Sequence, residues 1–265
     1  MPVIFNELMR INFIFLLLFG GYCLSQQPNP LLVDETKQQI KWVDSIFSTL
    51  SLDEKIGQLF VPMVFSKRDE QHFKEIKRLI QDHHIGGLIF SQGTPVKQTK
   101  WLNEFQSYSK VPLLVTMDAE WGVAMRLDSV VPFPWSMTLG ASRDHEIIKK
   151  VGKRIGEQER LLGVHMSFSP VADINTNPKN PIIGNRSFGE NPQEVAKLAI
   201  SLMEGHHQAG ILTSAKHFPG HGDTEQDSHL TLPKINFSKD HIEKNELYPF
   251  KKLIEKKVSS IMVAH

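Results

Sequence analysis

Cysteine is nearly missing from this chain: Cys23 is the only one in 265 residues, so no disulfide framework can hold the fold together. Charge of one sign is missing too. The 30 basic and 29 acidic residues leave a net charge of +1, and no Lys/Arg cluster stands out locally, which argues against nucleic acid as a partner. An apolar run long enough to span a bilayer is also absent. The stretch from Ile11 to Phe19 falls well short of the roughly 20 apolar residues a spanning helix needs, so no stable membrane insertion is expected. What is present is 40% hydrophobic and 22% charged residues, enough for a core of its own. The length suits one barrel-sized α/β domain or two small ones.

The N-terminus reads as a targeting segment. Arg10 precedes the short apolar run, and Gly20-Gly21-Tyr22-Cys23-Leu24-Ser25 leads into the polar Gln26-Gln27-Pro28-Asn29-Pro30. A basic residue, a short apolar core and a small residue before a polar start describe a secretory signal peptide over residues 1–25, cleaved after Ser25. A secreted or periplasmic location follows. Cys23 raises lipoprotein anchoring as the alternative, against which bulky Tyr22 stands just before it. Residues 26–50 form a linker and a first helix, from about Asp34 to Leu50.

From residue 51 onward, apolar runs alternate with amphipathic stretches. Ser51 and Glu54 make a capping box for a short helix. Strands are expected within Gly57–Phe65, at Gly86–Phe90, Pro112–Asp118, Val164–Ile174, Gly210–Ala215 and Val258–His265. Helices are expected at Asp69–His83, with Phe73, Ile76 and Ile80 on one face, at Pro95–Tyr108, Asp144–Leu162, from Asn191 onward, and at Ser238–Lys256. Strands apolar on both faces, alternating with helices, imply a parallel sheet with right-handed crossovers. No Gly-rich phosphate turn follows the first strand at Val64-Phe65-Ser66-Lys67, so a (β/α)8 barrel of the TIM type is favoured over an open doubly wound sheet. Only about six strands are visible, so the barrel is read as truncated over residues 51–265.

Polar residues gather at the strand exits: Asp118, Asp173, Lys216, His217 and His265. The densest cluster is Lys216-His217-Phe218-Pro219-Gly220-His221-Gly222-Asp223-Thr224, followed by Asp227-Ser228-His229. Burying so many titratable groups would demand a partner for each, and Pro219 with two glycines breaks regular structure. The segment reads as an active-site loop at the C-terminal end of the fifth strand.

This loop resembles the signature of family 3 glycoside hydrolases, in their β-N-acetylglucosaminidase branch. Further motifs follow the family's order: Leu52-Asp53-Glu54-Lys55-Ile56-Gly57-Gln58-Leu59, Asp118-Ala119-Glu120-Trp121-Gly122 with Arg126, and Pro181–Gly189 with Arg186. The resemblance implies a retaining hydrolase acting on terminal β-linked N-acetylglucosamine, in peptidoglycan or chitin-type saccharides, with neither metal nor cofactor. It implies His229 as the acid/base, Asp227 as its partner, and Asp118, Arg126, Arg186, Lys216 and His217 as sugar-binding residues. An i, i+2 spacing lets the Asp227 carboxylate hold one ring nitrogen of His229 while the other faces the glycosidic oxygen. The family's aspartate nucleophile lies downstream of the acid/base. None is recognised here, so the chain is read as an incomplete fragment. Ala119 and Val123 depart from the residues more usual in the family.

Blander readings stand beside these. Asp227 could be an Asx-turn residue, Asp118 a strand-end acid, Arg186 a clamp on a backbone carbonyl, and Lys216-His217 a solvated strand end. Asp173 divides evenly between a family position and turn chemistry. His206-His207 reads as charge placed at a helix C-terminus, and Trp121, Phe133 and Trp135 as core or rim packing rather than a sugar platform. Rival functions are a β-glucosidase-like member of the family, a metal-dependent hydrolase built on His217, His221, Asp223, Asp227 and His229, and a sugar-binding protein without catalysis.

Overall fold

The computed structural model describes residues 37–224 and 237–264. Within them six strands form one wholly parallel sheet in the order β1 (Met63–Phe65), β2 (Gly87–Ser91), β3 (Leu114–Met117), β4 (Met166–Ser167), β5 (Leu212–Phe218) and β6 (Ser260–Val263). Each strand pairs with the next in sequence, so the order never reverses as it does at the switch point of a doubly wound sheet. This one-directional winding is that of a β/α barrel, open between β1 and β6 among the described residues.

The helices are α1 (Lys37–Phe47), α2 (Leu52–Gly57), α3 (Glu70–His83), α4 (Pro95–Tyr108), α5 (Ser136–Ser142), α6 (His145–Leu161), α7 (Pro192–Gln208), α8 (Lys239–Lys244) and α9 (Leu247–Glu255). Local signals place their starts. Ser51 accepts from the Glu54 N–H while Glu54 reaches back to the Ser51 N–H, which closes the capping box. Asp69, Thr94, Asp144, Asn191 and Ser238 cap α3, α4, α6, α7 and α8 by the same first half of that device. No described helix is long and apolar enough to cross a membrane.

Two apolar clusters carry the packing. One joins β1–β3 to α3 and α4, where Phe73 stacks on Phe105 with ring centres 4.7 Å apart. The other joins Ala215 of β5 to α7 and α9 through Leu198, Leu202, Phe250 and Leu253, and Val151 of α6 touches both. Between α6 and α7 a polar pair is sealed in. Glu159 and His206 are wholly buried, with Oε2 and Nε2 3.6 Å apart.

Four sequence expectations need correction. The fourth strand is two residues long rather than Val164–Ile174, because Pro170 brings no N–H to the ladder. Pairing resumes beyond it, where Ala172 N–H donates to Lys216 O and Val171 bridges Lys216. The fifth strand does not stop at Ala215 but runs through Lys216 and His217 to Phe218, held by Ala264 N–H on Phe218 O. The helix expected over Ser238–Lys256 breaks at Asn245, since Pro249 could not donate to that carbonyl and sits in the first turn of a new helix instead. His206 is not a cation at a helix end: burial pushes its imidazole down to about 4.

Candidate active site

The site is assembled from the strand exits. Just beyond β3, before the chain turns with Gly122 N–H on Ala119 O, Asp118 and Glu120 present their carboxylates to the same cation. Lys216, near the end of β5, reaches back 98 residues in sequence to Asp118 and binds Glu120 as well. Its Nζ lies 2.7 Å from Asp118 Oδ1 and 2.7 Å from Glu120 Oε1. Arg126, in the turn after β3, donates to Asp118 Oδ2 at 2.6 Å. Arg186 ends a 3₁₀ turn at Gly184–Arg186 and grips Glu120 with two bonds, Nη2 to Oε1 at 2.7 Å and Nε to Oε2 at 2.9 Å. Its Nη1 donates to Ile182 O at 3.1 Å, so the carbonyl clamp read from the sequence exists alongside the carboxylate grip.

His217 joins through its edges. Arg186 Nη2 can only donate, so His217 Nε2, 3.3 Å away, accepts. That leaves the proton on Nδ1, which donates to Asp173 Oδ2 at 2.6 Å. Asp173 also accepts from the N–H groups of His217 and His221. It is therefore a carboxylate with three donors rather than a turn residue.

Three carboxylates, Asp118, Glu120 and Asp173, thus face three cations, Arg126, Arg186 and Lys216. Burial pushes the Glu120 carboxyl up, but Lys216 and Arg186 outweigh it and hold the group down at about 2. For Asp118 the same opposition, burial against Lys216 and Arg126, ends below the ordinary carboxylate value. Asp173 ends below it as well, with His217 and two backbone donors overcoming its burial. Burial would lower the Arg186 guanidinium, and Glu120 more than reverses that. Asp118, Glu120 and Asp173 are thereby held as carboxylates at neutral pH.

The loop after β5 is pinned in place. Gly222 lies so close to the backbone that a Cβ there would stand 1.7 Å from Ile174 O. Asn180 fills both halves of its amide: Oδ1 accepts from Ile182 and Ile183 N–H, and Nδ2 donates to His221 O and Thr224 O. One side chain therefore ties the Arg186 loop to the His221–Thr224 loop. On the outer margin the Trp121 and Trp135 rings stack, with centres 4.1 Å apart and planes 27° from parallel.

Of the residues expected from the sequence, Asp118, Arg126, Arg186, Lys216 and His217 converge here, while Asp227 and His229 lie outside the described residues. Glu120 was missed. Its signal was the Asp-x-Glu spacing at a strand exit, which puts both carboxylates on one side. His221 places Nδ1 2.6 Å from Thr224 Oγ1, and Asp223 Oδ1 accepts from Thr176. Among the described residues no three His, Cys, Asp or Glu side chains are grouped as a metal would require. A separate hollow of about 670 Å³, lined by Ile56, Phe60, Leu79 and Ile85, opens at the opposite, N-terminal edge of β1 and β2.

The profile of the glycosyl hydrolase family 3 N-terminal domain matches residues 51–265. The chain is 36% identical over 205 residues to beta-hexosaminidase A of Pseudoalteromonas piscicida, covering 72% of this chain and 34% of that one. A glycoside hydrolase family 3 beta-N-acetylglucosaminidase from Paenibacillus sp. str. FPU-7 superposes with a TM-score of 0.73 at 36% identity, over 82% of this chain and 42% of that one. Beta-glucoside phosphorylase BglX, bound to 2FGlc, superposes with a TM-score of 0.81 at 26% identity, over 88% and 41%. The match spans from 34% to 56% of the lengths of the first curated relatives.

Proposed function

The chain belongs to glycosyl hydrolase family 3, and from that premise we propose that the whole protein is a retaining glycosidase. It removes terminal β-linked N-acetylglucosamine from peptidoglycan or chitin-type saccharides. The observation that carries the reading is the ring of Asp118, Glu120, Arg126, Arg186, Lys216 and His217. Its carboxylates and cations converge at the strand exits, each held by at least one partner of the ring. Such a ring offers donors and acceptors at set angles to the hydroxyls of one pyranose. Contacts that tighten as charge develops on the sugar lower the barrier. Asp118 and Arg126 stand at the accessible rim to accept from and donate to hydroxyls. Lys216 and Glu120, buried beneath, keep the rim groups charged and oriented.

In this reading His229 protonates the departing oxygen and later activates water, with Asp227 orienting its ring and stabilising the imidazolium. A histidine that titrates near neutral pH performs both steps without the deep burial a carboxylic acid needs. No described residue is assigned the nucleophile's role. Residues 1–25 direct the protein to the periplasm or the exterior, where peptidoglycan fragments are met.

The test is turnover by the full protein of aryl β-N-acetylglucosaminide against aryl β-glucoside, with and without inorganic phosphate. Preference for the N-acetylated sugar, indifferent to phosphate, is expected. Faster turnover of the plain glucoside would overturn the substrate assignment, and a rate that climbs with phosphate would make the protein a phosphorylase. Loss of activity on chelation, restored by zinc, would return the loop to a metal-dependent hydrolase.

A further inference from the structure

Trp121 and Trp135 are not needed to build the charged ring, yet they stand at its margin in a defined arrangement. Trp121 directly follows Glu120, whose carboxylate holds both Lys216 and Arg186. Trp135 is the N-cap of α5, and α5 packs on the Gly184–Arg186 turn that delivers Arg186. The stack therefore joins the two chain segments that feed the ring. Phe133 N–H donates to Trp121 O at 2.9 Å, which closes the loop between them into a fixed hook.

The pair is accessible. Trp135 is 41% exposed and Trp121 is half-buried, whereas Ala119 and Val123, close by in the chain, are fully buried. Neither indole N–H donates to another described residue. Holding a large aromatic face at the surface forgoes its burial energy, so its occupant should offer apolar contact and hydrogen-bond acceptors together. A pyranose does so: its axial C–H bonds form an apolar face, and its equatorial hydroxyls ring the edge where an indole N–H can donate.

We propose that the Trp121–Trp135 stack is the platform for the second saccharide unit of the substrate, the one that leaves when the terminal sugar is cleaved. This deepens the glycosidase reading above and rests on it. The terminal unit belongs to the charged ring, whose Lys216 and Glu120 are 2% and 3% exposed and lie deep. The stack is the more exposed of the two, next in sequence to Glu120 and at the start of the helix that packs on the Arg186 turn. The platform favours saccharides of two or more units over substrates with a minimal leaving group.

The experiment uses the full protein and two substrates with the same terminal sugar. One is the β-1,4-linked disaccharide of N-acetylglucosamine. The other is N-acetylglucosaminyl fluoride, which has no second unit to seat. Trp135→Ala should lower kcat/KM for the disaccharide about tenfold, mainly through KM, and less than twofold for the fluoride. Trp135→Phe, which keeps an aromatic face, should recover most of the loss. Equal losses on both substrates, or no loss on the disaccharide, would overturn the platform. If the wild type turns over neither substrate, the failure belongs to the proposed activity. Tryptophan fluorescence titrated with the disaccharide then decides the platform by itself: quenching lost in Trp135→Ala supports it, and a wild type without quenching overturns it.

Discussion

Lys216 and Glu120 form an ion pair of 2.7 Å in which both side chains are only 2% exposed. An ammonium and a carboxylate taken so far out of water repay their desolvation only while each has its partners. Lys216→Met leaves Glu120 to Arg186 alone and Asp118 to Arg126 alone. The variant should lose about 3–5 kcal/mol of unfolding free energy, the usual cost of breaking a buried pair from one side. Urea denaturation measures it. A loss below about 1 kcal/mol would mean that water reaches the pair.

Asp173 fixes which nitrogen of His217 carries the proton. In Asp173→Asn the amide oxygen replaces only one of the two carboxylate oxygens, and when it takes the His221 N–H its NH₂ must face both donors of His217. His217 is then free to move its proton to Nε2, where it would meet the donor Arg186 Nη2. The expected outcome is a change in the His217 tautomer in ¹⁵N NMR spectra, with a stability loss of about 1–3 kcal/mol for an unsatisfied buried donor. An unchanged tautomer would show that Arg186 alone sets it.

The sealed pair of α6 and α7 makes stability depend on pH. Burial lifts the Glu159 carboxyl to about 8, against a weaker opposite pull from the Ser167 hydroxyl. Burial lowers the His206 imidazole to about 4. Folded, the pair holds one proton between about pH 4 and 8. Unfolded, with ordinary values of 4.5 and 6.5, it holds two protons below pH 4.5, one up to 6.5 and none above. Its contribution therefore rises up to about pH 4.5, stays level to about 6.5, and falls as pH climbs to about 8. Glu159→Gln removes the alkaline fall, so between pH 6.5 and 8 the variant should gain ~2 kcal/mol on the wild type. Parallel stability curves over that range would rule the mechanism out.

At Gly222 the obstacle to any side chain is backbone, not a movable group: a Cβ would stand 1.7 Å from Ile174 O. Gly222→Ala must push the loop after β5 away from the exit of β4. A loss of about 1–3 kcal/mol is expected, as for overpacking in a core, read from thermal unfolding. Lys216, held from the strand, should keep its two carboxylates in a crystal structure of the variant.

If His229 is the acid/base, its value depends on how badly the leaving group needs a proton. His229→Ala in the full protein should cut turnover of alkyl and sugar leaving groups by about 10²–10⁴-fold. Activated aryl groups should suffer far less. Asp227→Ala should follow the same pattern, with losses that do not add in the double variant. Equal loss across leaving groups would make His229 a binding residue.

The order of elements was legible because each carries a local cause: the Ser51–Glu54 box, the Asn191 cap, the Phe73–Ile76–Ile80 stripe, and strands bounded by turn residues. Five of the site residues could be named because they sit at strand exits in the order of a known family. What the sequence hid was burial. Lys216 looks like a solvated strand end until Asp118 and Glu120, nearly a hundred residues earlier, are folded over it. His206 looks like a helix-end cation until α6 brings Glu159 against it. Both facts are products of tertiary pairing, which no local periodicity encodes. The shortened fourth strand and the broken helix before β6, by contrast, could have been read from Pro170 and Pro249.

Asn180 holds two loops with one amide, and both of its donors and both of its acceptors are already spent. The Arg186 loop and the His221–Thr224 loop are thereby geared together. In the proposed glycosidase, a sugar that tugs on Arg186 would also tug on the loop that precedes Asp227 and His229 in the sequence. Ground-state recognition and the delivery of a proton would then not be independent quantities. A change at Asn180 should loosen their synchrony before it weakens either one.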